Sequence, residues 1–169
     1  MDELYRAACS VKMIPAMNYY NWKTWHEWPY RTIADHIVHD DTIIDVGAGC
    51  GFLSMHLLMT GKCDRVLAYD TRENMCEFMS LLSNMLGLAS RLDVKCEPFQ
   101  SNRHNNLTVS TRLGFPHILF NNRAPTVTMA RTRDCEPIFK YVETPASWNE
   151  RIVTREDGFN MRLLWNYQR

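Results

Sequence analysis

The sequence of 169 residues is short of several things at once. No apolar run approaches the roughly 18 residues of a membrane-spanning helix, so no membrane partner is expected. The opening Met1-Asp2-Glu3-Leu4 has neither the basic start nor the apolar stretch of a signal peptide, and a cytoplasmic location is the expectation. Glycine and proline are scarce, at seven each, and there is no internal repeat or low-complexity linker. Solenoid and disordered classes are therefore excluded. The six cysteines (9, 50, 63, 76, 96 and 135) never form a C-x-x-C pair, which suits reduced thiols in a cytosol-like compartment. His36 and His39 find no companions at zinc-ligand spacing, so no metal is expected.

Net charge is also absent, at 19 basic against 19 acidic residues, but the balance hides an asymmetry. Residues 1–100 carry nine Lys+Arg against thirteen Asp+Glu, and residues 101–169 carry ten against six. The C-terminal part is either suited to a polyanion or simply a solvated surface with scattered arginines. What the chain does have is 46% hydrophobic and 11% aromatic residues, which suits one domain over 1–169.

Residues 15–30 hold three Trp and three Tyr. Pro29 then suits the first turn of a helix running to about Val38, with Ile33, Ala34 and Ile37 inward. Thr42-Ile-Ile-Asp-Val46 reads as a buried strand, followed by Gly47-Ala-Gly49-Cys-Gly51 and a helix from Phe52 to Met59. Arg65–Tyr69 predicts a second strand and Leu92–Cys96 a third. Between them lies a helix over Glu73–Leu86, closed by Gly87, whose buried face is Met75, Phe78, Met79, Leu82, Met85 and Leu86. That alternation predicts parallel strands joined by right-handed crossovers. Farther on, Leu107–Thr111, His117–Phe120, Thr126–Met129 and Ile138–Val142 each read as strands. The tail reads as a β-hairpin around Asp157-Gly158.

The chemistry concentrates in Asp45-Val-Gly47-Ala-Gly49-Cys-Gly51, between a strand and a helix. Glycines there let backbone approach a ligand without a Cβ clash, and the helix start suits an anionic or polar atom. Asp70 ends the next strand, where an acid can take both ribose hydroxyls of a nucleoside. A dinucleotide fingerprint, G-x-G-x-x-G, needs glycine at position 52, where Phe52 stands.

The spacing G-x-G-x-G, with an acid two residues before it, resembles motif I of class I S-adenosylmethionine-dependent methyltransferases. The resemblance implies an α/β, Rossmann-like three-layer methyltransferase sheet with a parallel first half and an antiparallel C-terminal hairpin. It divides the chain into an aromatic segment with the first helix (1–40), a cofactor-binding half (41–100) and a β-rich substrate half (101–169). By position, Asp45, Val46, Gly47, Ala48, Gly49, Gly51 and Phe52 would line the methionine end of S-adenosyl-L-methionine. Asp70 would hold the ribose beside Thr71, and Gln100 would meet the adenine.

Asn18-Tyr-Tyr-Asn21-Trp22-Lys23 resembles the Asn-x-x-Asn-Trp-x-Lys segment that precedes motif I in messenger-RNA cap guanine-N7 methyltransferases. By that resemblance Asn21 and Lys23 would touch cofactor or cap. Asn121, in the Asn121-Asn122-Arg123-Ala124-Pro125 segment that follows the expected strand at His117–Phe120, is a third positioning candidate, although the segment does not match the Asn/Asp-Pro-Pro-aromatic motif of amino-methyltransferases. The implied partner is capped RNA or a GTP-like cap. Guanine N7 has a lone pair and no proton, so alignment can serve without a catalytic base. Trp22, Trp25, Trp28 and Tyr30 would supply stacking faces for a purine, or else cover the end of the sheet as core. Asn122 and Arg123 would also face the substrate, and Arg103, Arg112, Arg131 and Arg133 would join Arg123 on RNA phosphates. The small size resembles compact cap methyltransferase domains cut from the polyproteins of large RNA viruses. That implies a viral protein in the host cytoplasm beside other replication or capping proteins.

Three alternatives stand beside this reading. Lys23, Lys140 and Glu143 resemble part of the Lys-Asp-Lys-Glu set of cap 2′-O enzymes, although His117–Phe120 lacks the strand-four aspartate. Asp45-Val-Gly-Ala-Gly-Cys-Gly-Phe-Leu-Ser54 is similar to motif I of FkbM-type O-methyltransferases, whose Asp-x-Glu-Gly is absent. A non-catalytic subunit that keeps the fold for a partner or for RNA is the third.

Overall fold

Among the described residues, seven strands form one sheet, and the local sequence explains most of it. The computed structural model describes residues 3–10, 22–100, 105–111, 119–122, 124–131 and 143–167. The β-branched run around Ile43 and Ile44 becomes β1 (Asp40–Val46), which lies between β2 (Cys63–Tyr69) and β4 (Leu107–Ser110). Next to β2 lies β3 (Leu92–Lys95), and next to β4 lies β5 (Thr126–Arg131), all of these pairings being parallel. The tail forms the expected hairpin, β6 (Asn149–Thr154) and β7 (Asn160–Trp165), and β7 runs antiparallel between β5 and β6. The hairpin bends at Gly158, whose φ of +85° suits a residue with no Cβ.

Among the described residues the helices are α1 (Glu3–Ser10), α2 (Trp28–His36), α3 (Phe52–Met59) and α4 (Glu73–Met85), with a wider π-helical turn over Trp22–Glu27 leading into α2. All four contribute to one large apolar cluster on a single face of the sheet, against alternate residues such as Ile43, Val66, Val109 and Val127. The intervening residues, Ile44, Val46, Tyr69 and Leu164, face the other way and are covered by Leu119, Phe120, Trp148 and Phe99. This alternation is the two-residue period of a strand buried on both faces.

Several expectations change. Ile33, Ala34 and Ile37 are buried as expected, but α2 ends at His36, leaving Val38 77% exposed. On α4, Phe78, Met79 and Leu82 are buried, while Met85 is 54% exposed because the apolar stripe turns away from the sheet by the last turn. The residues expected as a strand at His117–Phe120 include Leu119 and Phe120, which lie in a short turn; residues 117 and 118 lie outside the described residues. Leu119 is buried for a different reason, covering the second face of the sheet. The expected strand over Ile138–Val142 also lies outside the described residues. The helix α1 carries no strong start signal and was not anticipated.

Candidate functional site

The parallel strands aim their carboxyl ends at one edge, and the loop after β1 rises there. Gly47, Gly49 and Gly51 all adopt left-handed backbone, with φ of +68°, +58° and +75°. Gly51 caps α3, and a Cβ built on it would lie 2.6 Å from Cγ of Met79, which is itself fully buried. Glycine is needed there on both counts. The loop is tied down by the Ala48 N–H donating to the Tyr69 carbonyl at 2.9 Å and the Gly51 N–H donating to the Ala48 carbonyl at 2.9 Å.

A cavity of about 310 Å³ opens above this loop, within the usual range for a small-molecule site. Gly47, Ala48, Gly49 and Cys50 form its floor, with Phe52 and Leu53 from α3. Pro29 and Tyr30 of α2 form one wall, Arg72 and Met75 another, and Thr111 enters from the end of β4.

Asp70 stands at the end of β2 with its side chain only 4% exposed. Its Oδ2 accepts the Gly49 N–H at 2.8 Å and Arg72 Nη2 at 3.1 Å. Its Oδ1 accepts the Arg72 main-chain N–H and Nε, both at 3.0 Å. Burial pushes the Asp70 carboxyl up, but the hydrogen bonds from Arg72 and Gly49 outweigh it and hold the group below the ordinary carboxylate value. Asp45 lies beneath the loop, 1% exposed, accepting the Ser54 hydroxyl at 2.7 Å. Here burial wins: it pushes the carboxyl from 3.8 up to about 7, against the Ser54 hydrogen bonds and with help from the nearby Asp70 charge. Burial pushes the Cys50 thiol up as well, away from the thiolate, and its sulfur sits 3.6 Å from that of Met75.

The structure thus brings Gly47, Ala48, Gly49, Phe52 and Tyr30 of the anticipated set to one cavity, with Gly51, Asp45 and Asp70 supporting its floor. Val46 is buried beneath, its carbonyl accepting the Ser110 hydroxyl at 2.7 Å. Thr71 and Gln100 are exposed and do not line the cavity.

The substrate expectations fare differently. Trp22 is 1% exposed, with its ring 4.6 Å from that of Phe52 and 5.6 Å from that of Tyr5, so it is core and not a stacking face. Tyr30 is equally buried, its ring between those of Trp22 and His56. Lys23 does not reach the cavity; its ammonium lies 2.5 Å from the buried Glu27 carboxylate, which Arg31 meets on the other oxygen at 2.6 Å. A carboxylate removed from water requires such partners. Lys23 lines a second groove of about 640 Å³, where Trp28 and Arg155 meet.

Asn121 and Asn122 lie just before β5, at the opposite end of the parallel strands from the glycine loop. The Asn122 amide donates to the Thr108 and Thr126 hydroxyls, both at 3.0 Å, and so joins β4 to β5 instead of facing a substrate. Asn21, Arg103, Arg112, Arg123 and Arg133, and the side chains of Trp25 and Arg131, lie outside the described residues. Sequence reasoning missed Arg72 and Thr111. Thr111 follows β4 directly, and in the sequence it reads only as the last residue of the expected strand Leu107–Thr111.

No protein-family model matches the chain, and no curated protein matches it in sequence. Solved structures do share its fold. TrmK of M. capricolum, in complex with S-adenosyl-homocysteine, superposes with a TM-score of 0.60 at 15% identity, over 81% of this chain and 66% of that one. The M1A22 tRNA methyltransferase TrmK of B. subtilis gives 0.61 at 14% identity, over 81% and 64%. A mutant of MtNAS gives 0.67 at 12% identity, over 98% and 70%. The chain spans just under two thirds of the length of the two TrmK chains. The sheet is therefore a Rossmann-like α/β sheet of the kind found in methyltransferases, parallel at first and antiparallel at its C-terminal end.

Proposed function

We propose that the protein is an S-adenosylmethionine-dependent methyltransferase acting on RNA, with an unprotonated ring nitrogen of a base as the acceptor. One observation carries this reading: three left-handed glycines after β1 meet a buried carboxylate at the end of β2, under an open cavity. The residues present fit the cofactor. The left-handed loop backbone at Gly47 and Gly49 lines the cavity and would hold its amino-acid part, and Asp70 would take its sugar.

When bound, S-adenosylmethionine supplies a methyl group on a positively charged sulfur, already activated for transfer. The chain's own residues then have to orient and to exclude water. Phe52, Leu53, Met75 and Pro29 give the cavity dry walls. Among the described residues lining it there is no carboxylate, imidazole or amine. Such a site suits an acceptor that needs no deprotonation, for which alignment is the main contribution.

Guanine N7 and adenine N1 both meet that requirement, since each presents an in-plane lone pair. The adenine choice is supported by the fold shared with an M1A22 tRNA methyltransferase. The guanine-cap choice is supported by the resemblance of Asn18–Lys23, with Trp22 withdrawn from its stacking set.

The test incubates the protein with isotope-labelled S-adenosylmethionine and, separately, tRNA transcripts and capped RNA, then digests the RNA and identifies the labelled nucleoside. N1-methyladenosine or N7-methylguanosine is the expected product. A 2′-O-methylated nucleoside refutes the ring-nitrogen assignment. Binding of the cofactor with no transfer to any RNA points to the non-catalytic alternative.

A further inference from the structure

The Asp70 carboxylate has no acceptor capacity left. An ionised carboxylate offers about four lone-pair positions. In this structure the Gly49 N–H, the Arg72 N–H, Arg72 Nε and Arg72 Nη2 fill all four, at 2.8–3.1 Å. Two of these donors belong to the main chain and hold the loop and the turn into α4. The other two come from one guanidinium and deliver one hydrogen bond to each carboxylate oxygen. Two neighbouring sugar hydroxyls would make that same pattern.

The two partners also differ in their access to water. The Asp70 side chain is 4% exposed and the Arg72 side chain 59%. Arg72 can therefore leave by rotating into solvent, where its guanidinium is readily hydrated, whereas Asp70 cannot move to meet a ligand. Arg72 already lines the cavity, its Nη2 lying 3.5 Å from where a Cβ on Gly49 would be.

We propose that Arg72 is an internal occupant of the nucleoside sugar subsite, its Nε–Nη2 fork standing on Asp70 where the two ribose hydroxyls bind and leaving when the nucleoside enters. The inference rests on the cofactor reading above and adds a residue that sets both affinity and selectivity. A ligand with two adjacent hydroxyls replaces both lost hydrogen bonds. One without them leaves a buried carboxylate short of donors, an expensive outcome. The bidentate, charge-assisted pair is strong enough to compete with a neutral diol, yet exposed enough to be screened by salt.

Calorimetric titration with S-adenosyl-homocysteine tests this on the full chain and on Arg72→Ala and Arg72→Met, the second of which keeps most of the aliphatic stem. Both variants are expected to bind about tenfold more tightly than the unaltered protein, equivalent to about 1.4 kcal/mol. Added salt is expected to tighten binding to the unaltered protein and to leave the variants flat. A purely structural role for Arg72 would instead weaken binding together with thermal stability. If all three proteins bind and the variants bind equally or more weakly, the occupant role is overturned and the cofactor reading stands. If none binds while circular dichroism shows the fold intact, the cofactor reading falls, and this inference with it.

Discussion

Replacing Asp45 by Asn isolates the buried carboxyl beneath the glycine loop. The Asp45 carboxyl moves from 3.8 to about 7 on folding, because burial disfavours its charged form more than the Ser54 hydroxyl favours it. The folded chain then binds more protons than the unfolded chain between those values. The stabilisation from this group is complete below pH 3.8 and is lost as pH rises through about 7. About three pH units at about 1.4 kcal/mol each set the loss at up to about 4 kcal/mol. Asn keeps an oxygen for the Ser54 hydroxyl, which now donates at 2.7 Å, and has no charge to bury. Its NH₂ adds a buried donor that costs about 1–3 kcal/mol if unpaired, but equally at every pH. Urea unfolding of both proteins from pH 5 to pH 8.5 samples about two of those units and should give a stability difference that shifts in favour of Asp45→Asn by about 3 kcal/mol as pH rises. All other titrating groups cancel in that difference. Parallel curves would refute the claim that Asp45 is buried in a form that resists ionisation.

Gly51→Ala should lower stability by about 2–4 kcal/mol, from about 1–2 for the left-handed backbone and the rest from displacing Met79. Because the loop must shift, S-adenosyl-homocysteine binding should weaken in the same variant; unchanged melting and binding would show the loop to be slack. Trp22→Ala should cost about 3–5 kcal/mol, a fall of about 10 °C in melting temperature, since its buried ring packs on Phe52 and Tyr5. A selective loss of RNA binding at unchanged melting temperature would instead return Trp22 to the substrate face.

The half of the fold from β1 to β3 was legible because its signals are local. A β-branched run, a glycine cluster, a helical stripe and a terminal acid each declare themselves within a few residues. The C-terminal hairpin was legible for the same reason, through Asp157-Gly158. Residues 117–120 misled because an apolar run reports burial and not the conformation that achieves it; Leu119 is buried on the sheet without being part of it. That error carried Asn121 and Asn122 into the site from its far end. Trp22 and Tyr30 show a second limit, as an aromatic ring reads the same whether it stacks on a base or on Phe52. The Lys23–Glu27–Arg31 ladder has the four-residue spacing of helical ion pairs, and Lys23 also has a place in the Asn-x-x-Asn-Trp-x-Lys resemblance. Arg72 was equally visible, two residues after Asp70, yet nothing in sequence says that a neighbour's guanidinium will turn back onto the acid.

The position of β1 at the centre of the sheet bears on the order of assembly. Its partners on one side lie in the same stretch of chain, with Ile43 opposite Val66, whereas on the other side Ile43 meets Leu107, some sixty residues away. Closing the longer loop is slower and must wait for more of the polypeptide. The β1–β2–β3 half, with α3 and α4 on its face, can therefore form on an emerging chain while the opposite side of β1 stays open as a template. A nascent chain at that stage would expose one open edge of β1, the kind of edge that invites wrong partners until β4 arrives.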